Sequence, residues 1–175
     1  MSKPSKEINK VSPYGSTMLQ AAVHSNNTER VVDVLGKKGD PNITQKPTGE
    51  SALHRAVLNQ NIDIVRLLLG AKAEVDHCGL YGSALHLAVV RDAEITTCLL
   101  ENAATIDLRN NDNITPLFTA AFGKRFDIVK ILCEQQADIN GYAGDGDFIF
   151  HAALKNNNDA VCTQNPTLRS YDSQL

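Results

Sequence analysis

The sequence predicts an all-α repeat solenoid with four full units and a degenerate fifth. One short motif recurs five times, at spacings of 34, 32, 32 and 33 residues. A second apolar patch follows each of the first four copies by about a dozen residues, and polar segments separate the copies. A lone unit could not cover both apolar patches, whereas stacked neighbours can, so the copies should pack side by side as an array.

The composition agrees with such an array and argues against several other classes. The 175 residues fit one compact domain or one short array. Hydrophobic residues make up 42% of the chain and charged residues 21%, which is enough for a core and unlike a disordered chain. Aromatic residues make up only 5% and Trp is absent, which argues against a β-sandwich or an aromatic platform for nucleotides.

The recurring motif predicts the first helix of each unit. In the second copy Leu53, Ala56 and Val57 stand at i, i+3 and i+4, the stripe of an amphipathic helix. In the fourth copy Thr115 is a good N-cap, and Pro116 at the first helical position sacrifices no hydrogen bond. The five copies read Thr17-Met-Leu-Gln-Ala-Ala-Val, Ser51-Ala-Leu-His-Arg-Ala-Val, Ser83-Ala-Leu-His-Leu-Ala-Val, Thr115-Pro-Leu-Phe-Thr-Ala-Ala and a worn Phe148-Ile-Phe-His-Ala-Ala-Leu.

The second apolar patch predicts a second helix, after which each unit closes on an Asn or Asp. Small alanines in the first helix let the two helices pack closely. The patches are Val31/Val34/Leu35, Val65/Leu68/Leu69, Leu99/Leu100 and Val129/Leu132/Cys133. The closing residues are Asn42, Asp76, Asp107 and Asn140. Polar linkers then join one unit to the next, at 43–50, 77–82, 108–114 and 141–147.

This pattern strongly resembles the ankyrin repeat, which reads Gly-x-Thr-Pro-Leu-His-x-Ala-Ala, then Ile-Val-x-x-Leu-Leu, then Gly-Ala-Asp-Val-Asn. The resemblance covers about residues 14–162. It implies that each unit is a helix-turn-helix followed by an outward-reaching β-hairpin finger, and that the array is open and curved. The family glycine that closes the second helix is absent, and its place is taken by Lys38, Lys72, Ala103 and Gln136.

The copies divide the chain into three predicted segments. Residues 1–12 and the polar tail 164–175 are expected to be flexible, and residues 13–163 to form the ankyrin repeat domain. Pro166 stands where the fifth second helix would continue, and proline breaks a helix, so the array should end near residue 163. The predicted units are about 14–47, 48–79, 80–111, 112–144 and, in part, 145–163.

No catalytic or metal site is expected, and no cofactor. His54, His86 and His151 share one repeat position, which in the ankyrin family is structural and bonds across the turn that begins the first helix. Units of that family lie about 10 Å apart, too far for histidines to share a metal at about 2.1 Å. The pair His77-Cys78 has no second pair at ligand spacing. No nucleophile motif or phosphate-binding loop appears, so the sequence predicts a protein that is not an enzyme.

The resemblance also implies where a partner would bind. In the ankyrin family, contacts come from the finger tips and from exposed positions of the first helices. An apolar residue on a polar tip suggests a contact, which singles out Leu80, Tyr81 and Ile114, with Phe122 beside them. The alternative is that each packs on the neighbouring finger. Arg91 and Arg109 are candidate rim anchors. The full set is Thr48, Glu50, Leu58, Asn59, Leu80, Tyr81, Val90, Arg91, Asn111, Asp112, Ile114, Phe122, Asp145, Asp147 and Lys155.

Charge and hydropathy narrow the kinds of partner. Seventeen basic and twenty acidic side chains leave a net charge of −3, which offers no support for binding nucleic acid. No stretch approaches the roughly 20 apolar residues of a membrane span. The four cysteines are widely spaced, as in a reducing compartment, so we expect a cytoplasmic or nuclear location. We expect a monomer that binds a protein, with no small-molecule substrate.

The sequence therefore predicts a non-catalytic module that acts by occupying a partner protein, as an adaptor or an inhibitor. Small ankyrin proteins of this kind include IκB-like inhibitors and inhibitors of cyclin-dependent kinases. The alternative is the ankyrin targeting fragment of a larger enzyme, channel or scaffold. Two further hypotheses concern the carboxyl half. Asn140 resembles an ankyrin asparagine that is hydroxylated, although such residues ordinarily bond within the finger turn. The ending from Ser173 to Leu175 matches the pattern that PDZ domains bind.

Overall fold

The computed structural model describes residues 7–13 and 15–139, in which eight named helices form four antiparallel pairs with one short hairpin. The predicted all-α repeat solenoid is confirmed over this range, while the fifth copy and the tail lie outside the described residues. The elements are α1 Met18–His24, α2 Thr28–Gly36, α3 Ala52–Leu58, α4 Ile62–Gly70, β1 Cys78–Gly79, β2 Gly82–Ser83, α5 Ala84–Ala88, α6 Ala93–Glu101, α7 Pro116–Phe122 and α8 Phe126–Glu134.

Side chains of the recurring motif begin the helices where the sequence predicts. Thr17 Oγ1 accepts from the backbone N–H of Gln20 at 3.2 Å, and Thr115 Oγ1 accepts from that of Phe118 at 3.3 Å. The second helices α2, α4 and α6 are capped by the side-chain oxygens of Asn27, Asn61 and Asp92, at 2.9, 3.0 and 2.9 Å from the backbone N–H three residues on. These bonds satisfy N–H groups that a helix leaves unpaired at its start.

The core runs along the array between two layers of helices. First helices α1, α3, α5 and α7 pack on one another in order, and so do second helices α2, α4, α6 and α8. The alanines at 22, 56, 88 and 120 are completely buried, which lets the two layers approach closely. Besides the predicted leucines and valines, the core contains one isoleucine near the start of each of the last three second helices. These are Ile64, Ile95 and Ile128, all at most 1% exposed.

Each second helix ends on a residue in the left-handed backbone region, where the family has glycine. Lys38, Lys72, Ala103 and Gln136 have φ values of 65°, 66°, 64° and 64°. The next residue closes the helix by donating its N–H to a carbonyl five residues earlier, as Ala73 does to Leu68 at 3.0 Å. A side chain with a Cβ is strained in this region, so these four ends each cost some stability.

The turn between the two helices is one residue shorter in the third unit. Asp92 caps α6 seven residues after Leu85, whereas Asn61 caps α4 eight residues after Leu53. The other three units use a left-handed residue in this turn, and the third does not; those residues are Asn26, Gln60 and Lys124, with φ of 53°, 54° and 57°. The shorter turn removes one residue from the spacing between the third and fourth motifs.

Residues 7–9, which belong to the N-terminal segment expected to be flexible, pack on the first unit. Ile8 is only 9% exposed. Asn9 Oδ1 accepts from the N–H of Asp40 at 2.8 Å, and its Nδ2 donates to the carbonyl of Lys38 at 3.4 Å. Asn42, which closes the first unit, makes the equivalent two bonds to the second unit. Its Oδ1 accepts from the N–H of Glu74 at 2.8 Å, and its Nδ2 donates to the carbonyl of Lys72 at 3.2 Å. Because Asn9 precedes Asn42 by 33 residues, residues 7–9 occupy the place of a unit's closing segment.

Among the helices within residues 7–13 and 15–139, none is long and apolar enough to cross a membrane.

Candidate protein-binding surface

The fingers pack edge to edge through backbone and side-chain hydrogen bonds. The N–H of Leu80 donates to the carbonyl of Thr48 at 2.9 Å, and Asn111 Nδ2 approaches the carbonyl of Gly79 at 3.4 Å. His77 Nε2 lies 2.8 Å from the carbonyl of Gly49. The linkers 43–50, 77–82 and 108–114 thus form one continuous edge of the array, which we call the finger edge.

The linker 77–82 precedes the third motif and is called the third finger, as 108–114 is called the fourth; the third finger presents two apolar side chains at its tip. Strands β1 and β2 pair antiparallel, with Cys78 opposite Ser83 and Gly79 opposite Gly82. The two residues of the turn are Leu80 and Tyr81, and they are 54% and 62% exposed. Neither is covered by the neighbouring finger, so the hypothesis that they are free for contact with a partner gains geometric support.

The first helices add an apolar row beside the finger edge. Leu58, Val90 and Phe122 each stand five residues after the motif leucine of their unit. Leu58 and Val90 are partly buried, whereas Phe122 is 71% exposed and stacks on Phe118 with 6.4 Å between ring centroids. A Cβ on Gly123 would lie 3.0 Å from Val90 Cγ1, so Val90 packs against the backbone that follows Phe122.

Several predicted contact residues are used inside the array instead. Asn59 Nδ2 donates to the carbonyl of Val23 in the preceding unit at 2.7 Å. Ile114 is partly buried, and its carbonyl oxygen lies 2.9 Å from His86 Nε2. Asp112 and Arg91 are exposed, as is Asn111. Six further residues that the sequence singled out lie outside the described residues. They are the contact candidates Asp145, Asp147 and Lys155, the hydroxylation candidate Asn140, and Ser173 and Leu175 of the PDZ-like ending.

Glu50 is not a surface contact, contrary to the prediction from the family pattern. It is 6% exposed, and its Oε2 lies 2.9 Å from Arg55 Nη2. An antiparallel bridge between Gln45 and Glu50 closes this finger, and the Glu50 carboxylate pairs there with a cation on α3. The pair lines a small cleft of about 290 Å³ together with Ser16, Gln20 and His24.

The two described repeat histidines bond within and between units. The N–H of Ser51 donates to His54 Nδ1 at 3.3 Å, so the ring proton is on Nε2, which donates to the carbonyl of Gly82 at 3.0 Å. His86 does the same with Ser83 and Ile114. Burial lowers the pKa of both imidazoles below 6.5, which keeps them neutral at pH 7. Both nitrogens of each ring are therefore engaged, and neither has a lone pair for a metal.

The described thiols are not activated as nucleophiles, and the described acidic groups form no metal site. Burial raises the pKa of Cys78, Cys98 and Cys133, the last to about 11, so these thiols are poor nucleophiles at neutral pH. Within the described part of the chain, no group of three or more His, Cys, Asp or Glu side chains could hold a metal ion. The finger edge is therefore distinguished by its exposed apolar side chains.

Comparison with protein-family models gives a match to the model described as ankyrin repeats (3 copies), over residues 2–78 and 73–143.

Curated relatives include proteins with very different overall sizes. An ankyrin repeat protein of Fowlpox virus (strain NVSL) is 31% identical over 150 residues, which cover 84% of this chain and 34% of the relative. Neurogenic locus notch homolog protein 2 of Homo sapiens is 37% identical over 118 residues, covering 65% and 5%. Tyrosine-protein kinase Shark of Drosophila melanogaster is 32% identical over 152 residues, covering 85% and 16%. The chain thus spans about a third or less of the length of these relatives.

Proposed function

This chain belongs to the ankyrin repeat family, whose repeats are protein-interaction modules, and we propose that it binds a partner protein through the finger edge and the adjoining first helices. The observation that carries the proposal is the exposed tip of the third finger. Leu80 and Tyr81 are 54% and 62% exposed on a short hairpin whose two strands pair antiparallel. Exposed apolar side chains on a rigid support are typical of binding sites.

The row on the first helices extends this surface over three units. Leu58, Val90 and Phe122 occupy equivalent positions, so a partner segment that follows the array would meet one of them in each unit. The rigid packing of the fingers on one another favours binding without rearrangement, which reduces the entropy lost on association. We propose that the protein acts as an adaptor or inhibitor, which covers a surface of its partner and catalyses no reaction.

A second candidate role follows from the lengths of the relatives. The chain covers 16% of a protein named as a tyrosine kinase and 5% of a notch homolog protein. On this alternative the same surface would serve as the targeting part of a longer protein. Both roles use the same binding face, so the experiment below tests the face and does not choose between the roles.

The test is an affinity capture from cell extract with the full chain and two variants. Tyr81→Ala/Phe122→Ala should lose the specifically captured protein while keeping far-UV helicity and the urea midpoint. Val32→Ala is the matched control, because Val32 is 50% exposed but lies on the second helix α2. Normal capture by the double variant, or loss of capture with Val32→Ala alone, would contradict the proposed face.

A further inference from the structure

Charge is segregated between the two sides of the array in units 2 to 4. The finger and first-helix segments (43–60, 77–92 and 108–125) carry six basic and three acidic side chains, a net charge of +3. The second-helix and closing segments (61–76, 93–107 and 126–139) carry three basic and nine acidic side chains, a net charge of −6. The whole chain has a net charge of −3, so the positive side is a local feature that the composition does not predict.

Four of the six cations on the positive side, Lys46 among them, form no ion pair with another described residue. No ion pair among the described residues involves Arg91, Arg109 or Lys124, whereas Arg55 and Arg125 have carboxylate partners at 2.9 Å. Arg91 Nη1 donates to the carbonyl of Leu87, and Arg109 Nη1 to that of Asn113, each at 3.1 Å. These bonds hold the guanidinium groups in place without neutralising them.

Three of these unpaired cations adjoin the exposed apolar side chains. Arg91 follows Val90, whose methyl group packs on Gly123, and Gly123 lies between Phe122 and Lys124 in the chain. The turns that end α5 and α7 therefore bring Arg91 and Lys124 into the neighbourhood of the exposed ring of Phe122. Arg109 stands at the base of the fourth finger, which packs on the third finger through the bond from Asn111 to Gly79.

We infer that the partner segment bound here is acidic and carries bulky apolar side chains. This inference rests on the proposed function and specifies the chemistry of the partner. The apolar side chains of the segment bury Phe122, Val90 and Tyr81, which supplies most of the binding free energy. Its carboxylates pair with Arg91, Arg109 and Lys124, which sets orientation and speeds association. A basic segment would meet the unpaired cations Arg91, Arg109 and Lys124, and it would favour the acidic opposite side.

The test is selection of binders from a displayed library of random peptides, with the full chain as target. The inference predicts enriched peptides with net negative charge and at least one aromatic or large aliphatic residue. Arg91→Glu/Lys124→Glu should weaken the binding of these peptides about three- to tenfold, as expected for two rim charges. Raising the salt concentration from about 50 to 300 mM should weaken binding to the unaltered chain in the same sense. Lys37→Glu/Lys130→Glu, which alters exposed lysines just after α2 and within α8, is the charge-matched control and should change little.

The outcomes separate this inference from the proposed function. If neutral or basic peptides are enriched, lose binding with Phe122→Ala and tolerate Arg91→Glu/Lys124→Glu, the face is right and the acidic partner is wrong. If enriched peptides tolerate Phe122→Ala and Tyr81→Ala, both proposals are overturned. Failure to enrich any peptide, or binding of a polyanion such as single-stranded DNA as tightly as the acidic peptides, also overturns the acidic apolar segment.

Discussion

His54 Nε2 lies 3.0 Å from the carbonyl oxygen of Gly82, so one side chain joins the first helix of the second unit to the finger of the third. His86 makes the equivalent bond to Ile114 at 2.9 Å. In the first unit Gln20 stands at this position, accepts from the N–H of Thr17 and donates to the carbonyl of Ile43, each at 2.8 Å. An uncharged side chain with one acceptor and one donor is what the position requires.

The first prediction is that acidification weakens the array. The pKa of His54 and of His86 lies below 6.5 in the folded protein, mainly because burial disfavours the charged ring. As the pH falls through 6.5, the unfolded chain takes up protons that the folded chain resists, so the free energy of unfolding decreases. The decrease reaches at most about 1.4 kcal/mol per pH unit for each histidine and stops below its folded pKa. Urea unfolding at a series of pH values between 7.5 and 5 measures it.

His54→Gln/His86→Gln is the matched variant, since Gln20 already fills this position in the first unit. The double variant should keep most of its stability at pH 7.5 and show a flatter dependence between pH 6.5 and 5. The lowered pKa of Asp127, which results mainly from its bond to Arg125, affects stability only near pH 3.8 and below, outside this window. An unchanged slope in the double variant would assign the acid sensitivity to other groups.

The second prediction concerns the left-handed helix ends. Lys72→Gly and Ala103→Gly should each raise the free energy of unfolding by up to about 1 kcal/mol, because glycine adopts this conformation without the strain of a Cβ. Gly70→Ala is the reciprocal control: Gly70 is helical, and a Cβ there would meet no atom within 4 Å. Alanine at 70 should therefore also stabilise, by about 0.5–1 kcal/mol. A lower urea midpoint in both glycine variants would contradict the argument.

The third prediction concerns the N-terminal segment. Asn9→Ala should lower the free energy of unfolding by about 0.5–1.5 kcal/mol, as should Asn42→Ala, because both side chains make the same pair of bonds to the next unit. Lys10→Ala is the control, since Lys10 is exposed. If Asn42→Ala destabilises the protein and Asn9→Ala does not, residues 7–9 contribute no closing contact in solution.

The fourth prediction distinguishes two finger glycines. Both have a positive φ, +68° at Gly49 and +94° at Gly82. A Cβ on Gly82 would lie 2.8 Å from His86 Cγ and 2.9 Å from Asn110 Cβ, whereas one on Gly49 would meet only Gly79 Cα at 3.7 Å. Gly49→Ala should cost about 1–2 kcal/mol and Gly82→Ala at least about 1 kcal/mol more. Equal changes in thermal or urea stability would show that the third finger can shift to make room.

The periodicity of the sequence was sufficient to predict the units and their helices. Motif spacing, the i, i+3, i+4 stripes and N-caps such as Thr115 depend on residues within one turn or one helix of each other. The buried alanines and the helix pairs therefore followed from local pattern alone. The left-handed conformation of Lys72 follows instead from the resemblance to the ankyrin repeat, which has glycine at this position.

The same local pattern was insufficient for residues whose environment is supplied by another unit. Asn9 belongs to the array because the N–H of Asp40, 31 residues away, meets its side chain. Its spacing of 33 residues from Asn42 was the available signal. Glu50 is buried because the finger bridge and Arg55 enclose it, although its repeat position suggested a tip.

What the sequence by itself determined was the register of the array, since each helix and cap depends on neighbours a few residues away. What only the tertiary structure decided was which side chains of the candidate surface face outward. Leu80, Tyr81 and Phe122 are exposed, while Ile114 and Asn59 pack or bond within the array. The physical reason is that burial in a solenoid is set by contacts between units about 30 residues apart, and at the variable positions of the candidate surface the side chains that make those contacts differ from unit to unit.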